Sequence, residues 1–264
     1  MRFYTRVHNT LWDLEQVKGE STSIASPIKG ADSSDNNELN VKELATEGYK
    51  VLIQRRTGGI DIENGKMVPW VDRRFDETNR ALRETDMISG DYAFPINPDF
   101  LDIDVQVDRF LHSGPTDFDG RLIGIDYELY GPNPDATISP GALKEYLRVL
   151  RKHIGQRHIL MYAGKAFWEE PPHSGQLSDY GEHMYMWNPW YWTLEVREQP
   201  WQHYEDARRH SGWWTRYAGV QPVCAQFCIG RAAGIPLDIN AWRLDMDGIR
   251  TLTRRPIGVE GPPA

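Results

Sequence analysis

Short apolar segments alternate with amphipathic ones along most of this chain, and the alternation predicts buried strands separated by helices. Eight strands are predicted in chain order, at residues 28–32, 49–54, 90–94, 121–128, 157–163, 183–187, 223–227 and 235–239. The segments between them carry apolar residues at helical spacing, as in 72–88 and 139–153. This order predicts an α/β fold, a closed parallel-type, TIM-like (β/α) barrel that is irregular, with fewer or shorter helices than the ideal barrel.

Turn and cap residues place the boundaries of several elements. Gly48 stands at the C-cap position of a helix predicted at about 40–47, and Pro140 opens the helix at 139–153. Asn64-Gly65 lies between two alternating arms and predicts a hairpin in the loop after the second strand.

The two ends of the chain differ in pattern from the barrel. Residues 1–26 are predicted to be an N-terminal appendage, in which Val7, Leu11, Leu14 and Val17 recur at helical spacing before a Ser/Thr-rich linker. We expect the barrel to span 27–252 and a Pro/Gly-rich tail to occupy 253–264.

Composition excludes some functions and leaves others open. With 264 residues, 40% hydrophobic and 26% charged, the chain fits one large globular domain, and the net charge of −8 argues against general nucleic-acid binding. No apolar run reaches the length of a membrane span, and the N-terminus lacks the apolar core of a signal peptide. We therefore expect no membrane insertion and, for any action outside a cell, another exit route.

The segment 121–130, R-L-I-G-I-D-Y-E-L-Y, is the most informative stretch. It predicts a buried strand ending in two carboxylates, Asp126 and Glu128, which point to the same face because strand side chains alternate. Two carboxyl groups held together at low dielectric are pushed apart in pKa, so that one stays ionised and the other keeps its proton. Acid-catalysed bond cleavage at neutral pH needs such a pair. The alternative is a strand that simply runs out into solvent.

Two further acids belong to the same predicted region. Asp32 and Asp238 fall at or just after the ends of the first and eighth strands. Because catalytic groups of such barrels lie at the carboxyl ends of the strands, Asp32, Asp126, Glu128 and Asp238 are predicted to converge on one mouth.

The order of motifs resembles glycoside hydrolase family 25, the lysozymes (muramidases) common among phage endolysins and bacterial autolysins. The resemblance spans roughly 28–250. The matching motifs are Gly30-Ala31-Asp32-Ser33-Ser34, Gly90-Asp91-Tyr92-Ala93-Phe94, Asp126-Tyr127-Glu128, I-L-M-Y with Tyr162, Phe167-Trp168, Ala225-Gln226-Phe227 and Leu237-Asp238-Ile239-Asn240. The sequence departs from the family at Asp35-Asn36, at Arg55-Arg56-Thr57-Gly58, where the family has an acid, and at Ala93.

The resemblance implies a role for each matching residue. Glu128 would be the proton donor, and Asp126 would stabilise the developing charge or orient the acetamido group of the substrate. Asp32 and Asp238 would position the sugar and tune the protonation of the pair. The implied sugar-contacting residues are Tyr92, Tyr162, Gln226 and Asn240. Trp187 begins an aromatic run, with Trp190, Tyr191, Trp192 and Trp201, that forms either a saccharide platform or core packing.

The resulting hypothesis is a peptidoglycan muramidase without cofactor or metal. It hydrolyses the β-1,4 bond between N-acetylmuramic acid and N-acetylglucosamine, with retention or inversion left open. It would act from the host cytoplasm as a released endolysin or be virion-associated, with residues 1–26 contacting other tail proteins. The alternative is a non-catalytic barrel that binds glycan or serves as a structural virion part, and a mouth blocked by Arg55 or Arg56 would favour it.

Overall fold

A computed structural model of the chain describes residues 26–34, 37–64, 66–131, 133–191, 195–207 and 212–256. The strands are β1 (Ile28–Ser33), β2 (Val51–Glu63), β3 (Lys66–Val71), β4 (Ile88–Phe94), β5 (Leu122–Asp126), β6 (Ile159–Tyr162), β7 (Met184–Pro189), β8 (Cys224–Ala232) and β9 (Ile235–Trp242). The helices are α1 (Val41–Thr46), α2 (Phe75–Leu82), α3 (Ile103–His112), α4 (Pro140–Ile154), α5 (Lys165–Glu169), α6 (Pro200–Ala207) and α7 (Met246–Leu252). Short 3-10 turns occur at Pro134–Ala136 and Leu177–Tyr180.

Eight of the strands form a closed barrel, which confirms the predicted fold class. The strand order is β1-β9-β8-β7-β6-β5-β4-β2-β3, and pairing of β1 with β2 closes the ring. From β1 through β2 and β4 to β8, the neighbouring barrel strands are parallel. The carboxyl ends of these strands therefore meet at one end of the barrel, which we call the mouth.

The last strand corrects the sequence prediction, because β9 is antiparallel to both of its neighbours, β8 and β1. Strand β8 continues to Ala232, and only Ala233 and Gly234 separate it from β9, both with positive φ. A two-residue turn of this type produces an antiparallel hairpin, whereas a parallel strand needs a long crossover. The barrel is therefore mixed rather than all-parallel.

The hairpin predicted around Asn64 is present, but it is not a separate decoration. Strand β2 runs without a break from the barrel wall into the first arm, and β3 pairs back onto it. An irregularity in the pairing between Arg55 and Thr57 bends β2 as it leaves the barrel. The hairpin consequently extends from the mouth, with Gly65 outside the described residues.

The helices cover the outside of the barrel. Buried apolar side chains therefore form one core between the helices and the strands and another inside the ring of strands. Apolar side chains of α3 and α4, including Phe110 and Leu147, are buried against the outer face of the strands. A second set lies inside the ring, including Val51, Ile53 and Trp242. The helix expected at 72–88 is shorter, Phe75–Leu82.

The proposed appendage 1–26 lies, apart from residue 26, outside the described residues, as do Asp35-Asn36 and 257–264 of the tail. Of the helices that the structure describes, none is long and apolar enough to cross a membrane.

Candidate active site

The mouth of the barrel brings the four predicted acids together. Asp32 lies near the end of β1, Asp126 is the last residue of β5, and Glu128 follows two residues later. Asp238 reaches the mouth differently from the prediction, which placed it at the carboxyl end of a parallel strand. It is the fourth residue of β9, and because β9 is antiparallel, the start of that strand is the part nearest the mouth.

Asp32 and Asp238 are direct partners in the pairing of β1 with β9, so their side chains emerge on the same face. Burial raises the pKa of Asp32 well above its usual range, and the negative charges of Asp238 and Glu128 raise it further. Two like charges in adjacent positions are costly, so the site favours sharing a proton over full ionisation.

A chain of buried hydrogen bonds holds Asp32 in place. Its Oδ1 accepts hydrogen bonds from Gln226 Nε2 at 2.7 Å and from Asn240 Nδ2 at 2.6 Å. The Tyr162 hydroxyl donates to Gln226 Oε1 at 2.6 Å, and Trp187 Nε1 donates to Asn240 Oδ1 at 2.7 Å. Each amide is thereby oriented so that its NH₂ group faces the carboxylate.

Asp126 lacks such support. Its Oδ1 is buried and has no hydrogen-bond partner among the described residues. Burial raises the pKa of Asp126 well above its usual range, and the charges of Glu128 and Asp32 raise it further. The Arg55 guanidinium acts in the opposite direction and lowers the pKa of Asp126. A buried carboxyl oxygen without a partner is rare in folded proteins and calls for a ligand, a proton or a water.

Glu128 is the most accessible of the four acids, since its side chain is exposed while the other three are wholly or partly buried. The walls of the mouth nevertheless desolvate its carboxyl group, which raises its pKa, and the charge of Asp238 adds to the effect. Burial also raises the pKa of Asp238, whereas a hydrogen bond from the Tyr191 hydroxyl, 2.7 Å from Oδ1, lowers it. A carboxyl group with a raised pKa that is open to solvent suits a proton donor.

Tyr127 fixes the segment between Asp126 and Glu128. Its ring is fully buried on the outer side of the barrel, 4.9 Å and edge-on from the ring of Phe167. Its hydroxyl lies 2.8 Å from His173 Nδ1, and its backbone N–H donates to the carbonyl of Tyr162 at 2.8 Å. With Tyr127 anchored outside, the acids on either side of it are directed to the opposite face.

The two arginines that depart from the family pattern lie on opposite sides of β2. Arg56 points outward, is fully buried, and binds Asp91, the carbonyl of Leu111 and the carbonyl of Pro115. Arg55 stands at the mouth, where its guanidinium carbon lies 4.4 Å from the ring centroid of Trp70. Arg56 therefore does not fill the mouth, and Arg55 borders it.

Most of the predicted sugar-contacting side chains lie beneath the acids. Trp187 is 1% exposed, Gln226 2% and Asn240 1%, and Tyr92 and Tyr162 are also buried. Of the predicted aromatic run, Trp190 is 38% exposed, whereas Trp201 packs edge-on against Tyr49. Trp192 lies outside the described residues. In this structure the five buried side chains contact one another, and any contact between them and sugar stays a prediction.

Sequence reasoning missed two features of this site, the hydrogen bond from Tyr191 to Asp238 and the stacking of Trp70 on Arg55, which it had named only as a residue that could block the mouth. The departure from the family pattern at Arg55-Arg56-Thr57-Gly58 was a usable signal for Arg55. Within the part of the chain that the structure describes, no group of three or more His, Cys, Asp or Glu side chains is arranged to hold a metal ion.

Sequence comparison finds no matching family model and no matching curated protein. Structural comparison finds related folds. The bacterial lysozyme from Streptomyces coelicolor superposes with a TM-score of 0.60 at 14% identity, covering 87% of this chain and 98% of that one. A family 25 glycosyl hydrolase from Bacillus anthracis gives 0.58 at 17%, covering 88% and 98%.

The catalytic domain of an endolysin from a bacteriophage of Listeria monocytogenes gives a TM-score of 0.58 at 16% identity, covering 86% of this chain and 97% of that one. The similarity extends over nearly the full length of these proteins, so the expected resemblance is confirmed at the level of the fold. The chain has the irregular barrel fold of the family 25 glycosyl hydrolase and the lysozymes to which it is similar.

Proposed function

We propose that the protein is a peptidoglycan muramidase that hydrolyses the β-1,4 bond between N-acetylmuramic acid and N-acetylglucosamine. The observation that carries the proposal is the convergence of Asp32, Asp126, Glu128 and Asp238 on one mouth, in a fold shared with lysozymes. Glycoside hydrolysis requires two carboxyl groups flanking the bond, one of which donates a proton to the leaving oxygen.

In this proposal Glu128 is the general acid. It is the exposed member of the group, and its raised pKa favours the protonated form that a general acid needs. Asp126 stabilises the positive charge that develops on the sugar, either directly or by orienting the substrate's acetamido group for neighbouring-group attack. Its unpartnered Oδ1 is available for either contact.

The other predicted residues act through these two. Asp32 and Asp238 raise the pKa of Asp126 by their charge, and Asp238 does the same for Glu128. Tyr162, Trp187, Gln226 and Asn240 hold Asp32 in place through the buried hydrogen-bond chain. We therefore assign these four a supporting role first and a sugar contact second, and Tyr92 belongs with them because its ring packs against Trp187.

Product chemistry tests the proposal. Purified peptidoglycan is digested with the full chain, the new reducing ends are reduced with borohydride, and the sugar alcohols are identified after acid hydrolysis. We expect muramitol to increase with time. Formation of glucosaminitol instead would show that the other glycosidic bond is cut, and the muramidase assignment would be wrong.

The second candidate is a non-catalytic barrel that binds glycan or serves as a structural virion part. The observation that favours it is the burial of Trp187, Gln226 and Asn240, together with the position of Arg55 at the rim of the mouth. Under this alternative the protein sediments with intact peptidoglycan but releases no reducing ends.

The place of action is a further part of the proposal. A muramidase that accumulates in the host cytoplasm and is released at lysis is one form, and a virion component that contacts tail proteins through residues 1–26 is the other. Sedimentation of purified virions, followed by detection of the protein in the pellet, separates them.

A further inference from the structure

The segment that carries Glu128 leaves the sheet immediately after β5. Strand β5 ends at Asp126, and its pairing with β6 ends at the pair of Asp126 with Tyr162. Glu128 therefore lies beyond the paired part of the strand. A general acid must stand within hydrogen-bond reach of the oxygen that it protonates, so contacts outside the strand pairing have to fix this segment.

Tyr127, the residue before Glu128, supplies such contacts. Its backbone N–H donates to the carbonyl of Tyr162 at 2.8 Å, and its ring is fully buried. The rings of Phe167 and Trp168 pack edge-on against it, at centroid distances of 4.9 and 5.9 Å. Apolar packing is non-directional, whereas a hydrogen bond to the hydroxyl fixes both the distance and the direction of the ring.

His173 makes that directional contact. Its Nδ1 lies 2.8 Å from the Tyr127 hydroxyl, and its ring stacks on Phe167 with a centroid distance of 4.0 Å and an interplanar angle of 26°. A hydroxyl both donates and accepts, so either tautomer of the imidazole can form the hydrogen bond. His173 is thus bound to the tyrosine and to one of the rings that enclose it.

The loop that carries His173 is itself fixed to α5. The backbone N–H of His173 donates to the carbonyl of Glu170 at 2.9 Å, and Trp168 Nε1 donates to the carbonyl of Gly175 at 2.9 Å. Hydrogen bonds on both sides of His173 therefore hold the loop close to the barrel. The imidazole lies with Tyr127 on the outer side of the barrel, behind the acids rather than in the mouth.

The contact joins two neutral groups near neutral pH. Burial lowers the pKa of His173, against the charge of Glu170, which acts to raise it. Burial also raises the pKa of Tyr127, so its hydroxyl keeps its proton. The pair adds no charge beside Glu128, and its effect on that residue is one of position.

We propose that His173, through its contact with the Tyr127 hydroxyl, is a positioning residue that holds Glu128 in the place from which it donates its proton. The inference rests on the proposed function for its catalytic meaning. The fixed position of the Glu128 carboxyl group, by contrast, does not require turnover and can be measured without substrate.

The first measurement is a carboxyl ¹³C NMR titration of the full chain with labelled glutamate. The Glu128 resonance is assigned as the one lost in Glu128→Gln. The walls of the mouth desolvate this carboxyl group, so a segment that moves more freely exposes it to more water. In His173→Leu and in Tyr127→Phe, each of which removes the hydrogen bond, we expect the Glu128 midpoint to fall toward the ordinary value for a glutamate.

The second measurement is the release of reducing ends over a range of peptidoglycan concentrations. We expect kcat to fall about 10- to 100-fold in His173→Leu and in Tyr127→Phe with KM unchanged, because a misplaced catalytic group costs rate rather than ground-state binding. The double variant should lose no more than either single variant, because both substitutions remove the same hydrogen bond.

Two further variants separate the hydrogen bond from the bulk of the ring. His173→Asn keeps a short side chain that can bond the hydroxyl, and it should retain most of kcat and the wild-type midpoint. His153→Leu, at an exposed position near the end of α4, is the matched control and should change neither quantity. A loss in His173→Asn equal to that in His173→Leu would assign the effect to the stacking on Phe167 and overturn the proposal.

Thermal unfolding identifies the variants that are folded. If His173→Leu does not unfold cooperatively, Tyr127→Phe, which keeps the buried ring, decides the outcome. A lower Tm with an unmoved Glu128 midpoint and an unchanged kcat shows that the bond only stabilises the fold, and the positioning role is wrong.

The two measurements separate this inference from the proposed function. Active wild type with an unmoved midpoint in the folded variants refutes the role of His173 alone. Inactive wild type with a lowered midpoint in His173→Leu and in Tyr127→Phe refutes the muramidase and leaves the positioning of Glu128 standing.

Discussion

Replacing Asp32 with asparagine tests whether repulsion between the buried carboxylates at the mouth destabilises the folded protein. Asp32 is 6% exposed and stands directly opposite Asp238 across the β1–β9 pair. Asparagine has the same shape, and its Oδ1 can accept the same two hydrogen bonds from Gln226 and Asn240. The substitution therefore removes a buried charge and its repulsions without opening a cavity.

The size of the effect follows from the raised pKa of Asp32, whose causes are burial first and then the charges of Asp238 and Glu128. Each unit by which the folded-state pKa exceeds the unfolded value costs about 1.4 kcal/mol once the group is ionised. Single stabilising substitutions in natural proteins commonly add about 0.5–2 kcal/mol. We expect Asp32→Asn to unfold at a Tm about 1–8 °C higher than wild type near neutral pH.

The direction of the pH dependence is fixed by linkage. A carboxyl group whose folded-state pKa is raised contributes stability that is fully present below its unfolded pKa, about 3.9, and is lost as pH rises through the folded value. Wild type therefore loses stability relative to Asp32→Asn as pH rises, and the two converge at low pH where the carboxyl group is protonated.

Urea unfolding from about pH 4 to about pH 8 measures the difference. Asp99→Asn, at an exposed position in the loop before α3, is the control and should track wild type. A variant that is less stable than wild type at the upper end of this range, or a gap that is constant with pH, would refute the reasoning. The same substitution should lower muramidase activity, because the family resemblance gives the Asp32 carboxylate the role of positioning the sugar.

Two further predictions concern partners of buried carboxylates. Asp91→Ala leaves the guanidinium of Arg56 buried beside that of Arg121 without their shared anion, so we expect a loss of about 3–5 kcal/mol in urea unfolding. Asp86→Ala, which removes an exposed partner of Lys50, should be nearly neutral in the same assay. Tyr191→Phe removes the donor to Asp238, and we expect the Asp238 carboxyl ¹³C titration midpoint to rise and stability near neutral pH to fall by about 1 kcal/mol. An unchanged Asp238 midpoint would mean that the Tyr191 hydroxyl does not bind the carboxylate in solution.

Much of the barrel was predictable because its strands are short, apolar and separated by well-marked helices. Helix α4 begins at Pro140 with Ser139 as its N-cap, as its sequence indicates. The predicted direction of β9 was wrong because Ala233-Gly234 is a weaker turn signal than Asn-Gly. The eighth strand was therefore predicted to follow a crossover connection and to run parallel to its neighbours. The extension of β8 to Ala232 left no room for one.

The acids of the site were predictable for a different reason. Their order along the chain matches that of a known family, and Asp126 and Glu128 lie at the end of a strand, where barrels place their chemistry. Their partners were not predictable, since the hydrogen bond from Tyr191 depends on the path of the loop after β7. The buried group formed by Arg56, Asp91 and Arg121 was missed because the sequence does not distinguish a buried charge from a solvated one.

The central claim is that Glu128 donates the proton in glycosidic cleavage, and one comparison tests it most directly. Release of reducing ends from purified peptidoglycan is measured for the unaltered protein, for Glu128→Gln and for Glu145→Gln, which alters an exposed glutamate on α4. We predict a loss of about two to four orders of magnitude in Glu128→Gln and none in Glu145→Gln. If Glu128→Gln releases reducing ends as fast as the unaltered protein, or if none of the three releases any while all still bind the wall, the claim is wrong.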